Sequence, residues 1–183
     1  MEQVLWAREL AQHLLEEPLP RRWAHTQGVA EQAESLACVL GADADLVTAS
    51  AWLHDIGYAP DLAVTGFHPL DGARYLRGGE RADERVCALV AHHSGALVEA
   101  EERGLLDELT SEFALPRPDL LKALTYCDMT TGPDGKHLPV EQRLSEILER
   151  YEPEDLVHRA ITRSKPDLLG AVRSVETRIA TGT

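Results

Sequence analysis

Apolar residues recur along nearly the whole chain at intervals of three and four, and almost nowhere in strict alternation. A polypeptide with that period buries its apolar surface by packing helix against helix. Val29, Ala33, Leu36, Ala37 and Leu40 form one such stripe. An aromatic content of only 5%, with many Ala, Leu and Glu residues, favours helices further. The pattern predicts helices over 2–16, 21–40, from a cap at Asp43 or Asp45 to His54, from Pro69 toward Arg77, over 82–94, one or two within 95–112, and one over 119–129 behind Pro116 and Pro118. Three short helices are expected at 140–151, 153–163 and 166–180. Pro18, Pro20, Gly41, Gly57, Pro60 and the Gly78–Gly79 pair punctuate the series. Residues 57–68 read as a loop, and Gly132–Gly135 as a turn with proline second and glycine fourth. No repeat, low-complexity tract or linker divides the 183 residues, so one all-α domain spanning 1–183 is expected.

Charge narrows the function. With 31 acidic and 18 basic residues the chain carries −13, which repels a polyphosphate backbone and argues against nucleic-acid binding. A small phosphorylated substrate is still compatible, because a bound cation reverses the local field. Cys38, Cys87 and Cys127 lack zinc-like spacing; each lies in an apolar helical context and is expected to be a small buried hydrophobe in a reducing compartment. No signal-like segment or run of roughly 20 apolar residues is present, which makes a cytoplasmic protein without a membrane span the expectation.

Five of the eight histidines and two aspartates form an ordered series: His25, His54–Asp55, His68, His92–His93 and Asp128. The helical period turns several of them inward. His25 precedes Val29 by four, His54 follows Val47 by seven, His93 follows Val86 by seven, and Asp128 follows Leu121 by seven and Leu124 by four. An ionised aspartate on an apolar face needs a cation, and Asp128 has no Lys or Arg on its own helix face. Imidazole and carboxylate ligands from separate segments suit a divalent metal with positions left open. His13, His137 and His158 fall outside the pattern and read as surface or core histidines.

The order His25 … His54–Asp55 … Asp128, within the segments RRWAHTQGVAEQAESLA, ASAWLHDIGYAP, FHPLDGARYLR and LVAHHSG, resembles the HD-domain superfamily of metal-dependent phosphohydrolases. The likeness covers about residues 20–135 and implies an all-α helical bundle, with the helices after about 140 closing the core or serving a homo-oligomer. It implies that His25, His54, Asp55 and Asp128 hold one metal, while Asp55 bridges to a second held by His68, His92 and His93. Iron or manganese suits such a pair, with zinc as an alternative. The roles carried over as catalytic are those of His54, Asp55 and Asp128. Arg74, Arg77 and Lys136, near the ligand-bearing segments, are candidate phosphate contacts. Two departures stand out: Tyr58 occupies a place where many relatives carry Lys, and the interval from Asp55 to His68 is short for a two-metal member.

The implied activity is hydrolysis of a phosphoester or phosphoanhydride in a small nucleotide by metal-activated water. The layout is most similar to that of small bacterial hydrolases of dinucleoside tetraphosphates. Two other readings fit the same residues: a di-iron oxygenase of the same superfamily, and a metal-stabilised module that binds a nucleotide or protein without turnover.

Overall fold

The computed structural model describes residues 1–80 and 82–182. α1 (Glu2–Leu15) stops short of Pro18 and presents Ala7, Ala11 and Leu15 to the core. α2 (Pro20–Ser35) starts with proline in its first turn, where a missing N–H costs nothing. The helix expected to continue to 40 breaks at Leu36 (φ −85°, ψ 2°), and a separate turn, α3 (Ala37–Leu40), follows. Val29, Ala33, Leu36 and Leu40 are buried, but the break rotates Ala37 and Cys38 into solvent. Cys38 is therefore not the buried hydrophobe expected, whereas Cys87 and Cys127 are buried.

α4 (Ala44–Leu53) is the central helix. Every residue from Leu46 to Gly57 is buried, the signature of a helix enclosed on all sides. α1 and α2 flank it, and Trp23 of α2 meets Trp52 of α4 with ring centroids 5.5 Å apart. α5 (His68–Tyr75) begins one residue earlier than expected and runs into a π-helical turn over 76–80, which absorbs the Gly78–Gly79 pair. α6 (Glu84–His92) is capped by Asp83, which accepts the Arg85 N–H, and gives way to a 3₁₀ turn over 93–95. α7 (Ala96–Arg103) and α8 (Leu106–Glu112) follow, and α9 (Pro118–Met129) packs against α2, α4 and α6.

The Gly132–Gly135 turn closes as expected, with the Gly135 N–H donating to Gly132 O at 3.0 Å. α10 (Val140–Leu148) follows it. The last two predicted helices are one: α11 (Leu156–Thr181) runs for 26 residues through Pro166. An interior proline costs roughly 3 kcal/mol. Burial of Leu168, Val172 and Val175, each giving about 1.5–3 kcal/mol, offsets it, and this face packs on α7 and α9. Among the described residues there is no strand, only a single bridge between Thr131 and His137. Among them too, no single helix is long and apolar enough to cross a membrane.

Candidate metal centre

The C-terminal end of the enclosed α4 delivers His54 and Asp55 to the middle of the molecule. Around them stand His25 from α2, His68 from the first turn of α5, His93 from the turn after α6, and Asp128 from the end of α9. Two groups of potential ligand atoms result, each within 4.8 Å: His25, His54 and Asp128, and Asp55, His68 and His93. Asp55 lies between them. Its Oδ2 is 3.4 Å from His54 Nε2 and 3.9 Å from His25 Nε2, while its Oδ1 is 3.3 Å from His68 Nε2.

The imidazoles are oriented by main-chain carbonyls. His25 Nδ1 lies 3.0 Å from Gly132 O, His54 Nδ1 2.7 Å from Ala51 O, and His93 Nδ1 2.7 Å from Val90 O. A carbonyl only accepts, so each Nδ1 donates and each ring turns its Nε2 inward, toward the carboxylates. His54 Nε2 is buried and has no hydrogen-bond partner. His25 Nε2 faces Asp128 Oδ1 at 3.1 Å, and His68 Nε2 faces His93 Nε2 at 3.2 Å. Lone pairs set against one another in a buried space need a proton or a cation between them. The donor set therefore fits a divalent metal.

Two glycines permit the convergence. A Cβ on Gly28 would lie 2.2 Å from Gly135 O, so α2 can approach the 132–135 turn that anchors His25 only without a side chain there. A Cβ on Gly57 would lie 2.1 Å from His68 O, and its absence lets α5 close on the His54–Asp55 step. The short interval between Asp55 and His68 is bridged by Asp71, a buried carboxylate that accepts the N–H groups of Val64, Thr65 and Gly66 at 3.0–3.2 Å. The loop is thereby gathered tightly enough to bring His68 to the centre.

Burial works against ionised Asp55, yet the charge of Arg22 and the charge and hydrogen bond of His54 override it and hold the carboxyl well below its ordinary pKa. Asp128 is likewise held low, burial being outweighed by the hydrogen bond to His25 and the charges of His54, His25 and Arg143. Both acids are anions at neutral pH. Burial disfavours charge on His54, but Asp55 and Asp128 raise its pKa nonetheless; the same field would attract a metal ion. Burial lowers the pKa of His68 and His93 and outweighs the nearby carboxylates that pull it up, so their rings stay neutral and free to ligate.

Several predicted residues are not brought together with these. His92 faces the other way, its Nε2 donating to Phe113 O at 2.9 Å, because adjacent helical residues point about 100° apart. Arg74 is committed to Glu108 and Glu112. Arg77 pairs with Glu84 and lies 3.8 Å over the Phe113 ring. Lys136 is exposed on the turn and does not line the cleft. Arg22 is the cation that sequence reasoning missed. Its Nη1 donates to Asp55 Oδ2 at 2.7 Å, and its guanidinium lies 3.9 Å over Tyr58, whose other stacking partner is His68 at 4.0 Å. A charge from α2 thus reaches the place where position 58 has none. Its signal was available: Arg22 precedes His25 by three, on the same helix face. Ser94 was missed too; its hydroxyl donates to Asp128 Oδ2 from a backbone with φ 44°, unusual for a residue other than glycine.

A family model for the HD domain matches residues 22–153. A ribonuclease Y of Rhodopirellula baltica is 40% identical over 134 residues, covering 70% of this chain and 23% of the relative. A tRNA (cytidine(56)-2'-O)-methyltransferase of Thermoplasma volcanium is 42% identical over 78 residues, 43% of this chain and 22% of the relative. A ribonuclease Y of Rubrobacter xylanophilus is 40% identical over 70 residues, 38% of this chain and 14% of that protein. The matches thus span less than a quarter of the length of these curated relatives. No solved structure matches the chain.

Proposed function

The chain belongs to the HD domain family, a family of metal-dependent phosphohydrolases, and on that premise we propose that it hydrolyses a phosphoester or phosphoanhydride of a small nucleotide. The observation that carries this reading is the inward set of Nε2 atoms, fixed by main-chain carbonyls and directed at two ionised carboxylates. His25, His54 and Asp128 would hold one ion, His68 and His93 a second, with Asp55 between. His92 is left out because its Nε2 is engaged by Phe113. Imidazole and carboxylate ligands suit iron or manganese. When bound, such ions polarise a phosphoryl group and make a water-derived nucleophile available near neutral pH.

The chain's own groups complete the chemistry. Arg22 holds Asp55 ionised and offers positive charge at the cleft wall. Ser94 fixes the Asp128 carboxylate through its hydroxyl. Tyr58 keeps its phenolic proton, since burial and Asp55 both raise its pKa, and remains a donor at the cleft mouth.

The relatives called ribonuclease Y favour a second reading, in which the cleft cleaves an RNA phosphodiester. The net charge of −13 weighs against it. Elemental analysis of protein purified without chelators decides the metal question. An assay of nucleoside mono- and diphosphates, a dinucleoside polyphosphate and a short RNA, each with iron or manganese, decides the substrate. Phosphate or nucleotide release without oxygen consumption is expected; oxygen consumption would point to an oxygenase, and full metal loading without turnover to a binding module. Asp55→Ala and Asp128→Ala should each remove metal and activity together, and an active, metal-free Asp128→Ala protein contradicts the assignment.

A further inference from the structure

Beyond the candidate ligands, positive charge collects at α10 and just past its end, in a C-terminal region expected either to close the core or to serve a homo-oligomer. Arg143 of α10 is only 5% exposed, yet it lines the cleft that holds Asp55, His68, His93 and Asp128. Its Nη1 meets Glu146 at 2.5 Å, but its Nε is buried with no hydrogen-bond partner. Arg150, about two turns further on and just past the end of α10, pairs with the same Glu146 at 3.1 Å and lines the same cleft. One carboxylate thus orients two guanidiniums, and the Nε of Arg143 is left without an acceptor. A buried guanidinium with unused donors is costly unless an anion completes it. Its flat fork of N–H groups matches the oxygens of a phosphate.

The two arginines also mark a boundary. With Arg22 they line both the cleft of the candidate ligands and an adjoining recess walled by Pro18, Leu19, Pro20 and Pro133. An anion at Arg143 therefore lies beside the reacting position, toward the outer recess.

We propose that Arg143 and Arg150 form an anion fork that grips a second, non-reacting phosphate of the substrate, so that the site selects compounds with at least two linked phosphates over monophosphates. This rests on the function proposed above, because the reacting phosphate is the one placed at the candidate metal centre. Arg143 and Arg150 bind and position; they do not ligate metal.

The test is calorimetric titration of the full chain, purified without chelators, with inorganic pyrophosphate and with orthophosphate. The unaltered protein should bind pyrophosphate at least about tenfold more tightly, a difference worth about 1.4 kcal/mol. Arg143→Met, which fills the buried volume without charge, should abolish that preference while metal is retained and orthophosphate still binds. Arg150→Met, at a half-exposed position, should reduce the preference without any effect on thermal stability, and it decides the matter if Arg143→Met fails to fold. Arg143→Lys keeps the charge but loses the fork and should restore only part of the preference. A pyrophosphate preference that persists in the folded variants overturns the fork, as does its absence from the unaltered protein. Metal content separates the two ideas: arginine-dependent pyrophosphate binding in a metal-free chain would sink the metal reading and leave the fork standing.

Discussion

Ser94 stands in a left-handed backbone conformation that costs a non-glycine residue about 1–3 kcal/mol. What it gains is a hydroxyl donated to Asp128 Oδ2. Groups that orient a ligand from behind commonly contribute tenfold to hundredfold in metal affinity. Ser94→Ala should therefore bind manganese about tenfold or more weakly in a competition titration, with little loss of fold. Its neighbour His92 predicts the opposite. His92→Leu should leave metal stoichiometry unchanged, because the ring faces Phe113. Burial lowers the His92 pKa below its ordinary 6.5. Between that lowered value and 6.5 the unfolded chain binds more protons, so this contribution is complete above 6.5 and declines as pH falls through the window. Denaturant titrations at about pH 8 and pH 5.5 should show a smaller acid loss in His92→Leu than in the unaltered protein. An equal loss would mean that His92 is not buried in its neutral form.

Elements, not single residues, decide whether the ligands meet. α5 reaches the His54–Asp55 step because Gly57 has no side chain against His68 O. Gly57→Ala forces a shift of helix or loop, with an overpacking cost of about 1–3 kcal/mol. The expected outcome is lowered thermal stability together with reduced occupancy at His68 and His93, while His25, His54 and Asp128 continue to hold metal. Unchanged metal content would show that α5 can move without consequence. The helix boundaries that differ from expectation have the same kind of cause. Pro166 lies inside α11 because packing of Leu168, Val172 and Val175 outweighs the local penalty. α2 ends at Leu36 although its apolar stripe continues, and nothing in the local pattern distinguishes a continuous stripe from one bent at a single residue.

At the scale of the whole molecule, the inward carboxylates and imidazoles make metal binding part of stability. A ligand present at a thousand times its dissociation constant stabilises the folded chain by about 4 kcal/mol. For a chain of this size, that corresponds to roughly 10 °C in melting temperature. Removal of metal with a chelator should lower the melting temperature by about that amount, and addition of manganese should restore it. An identical melt with and without chelator would separate metal from folding altogether.

The sequence alone determined that the chain is helical and that His25, His54, His93 and Asp128 turn inward, because side-chain direction along a helix follows from its period. It also marked Asp55 and His68 through their order in the motif-bearing segments. Only the tertiary structure separated His93 from His92, bound Arg74 and Arg77 to glutamates, and brought Arg22, Ser94 and Arg143 to the cleft. The charge partners of Asp55 and Asp128 come from other helices, not their own. Periodicity reports which face of a helix is buried, but not which neighbour covers it; that depends on how distant segments pack, and electrostatic partnership is set there.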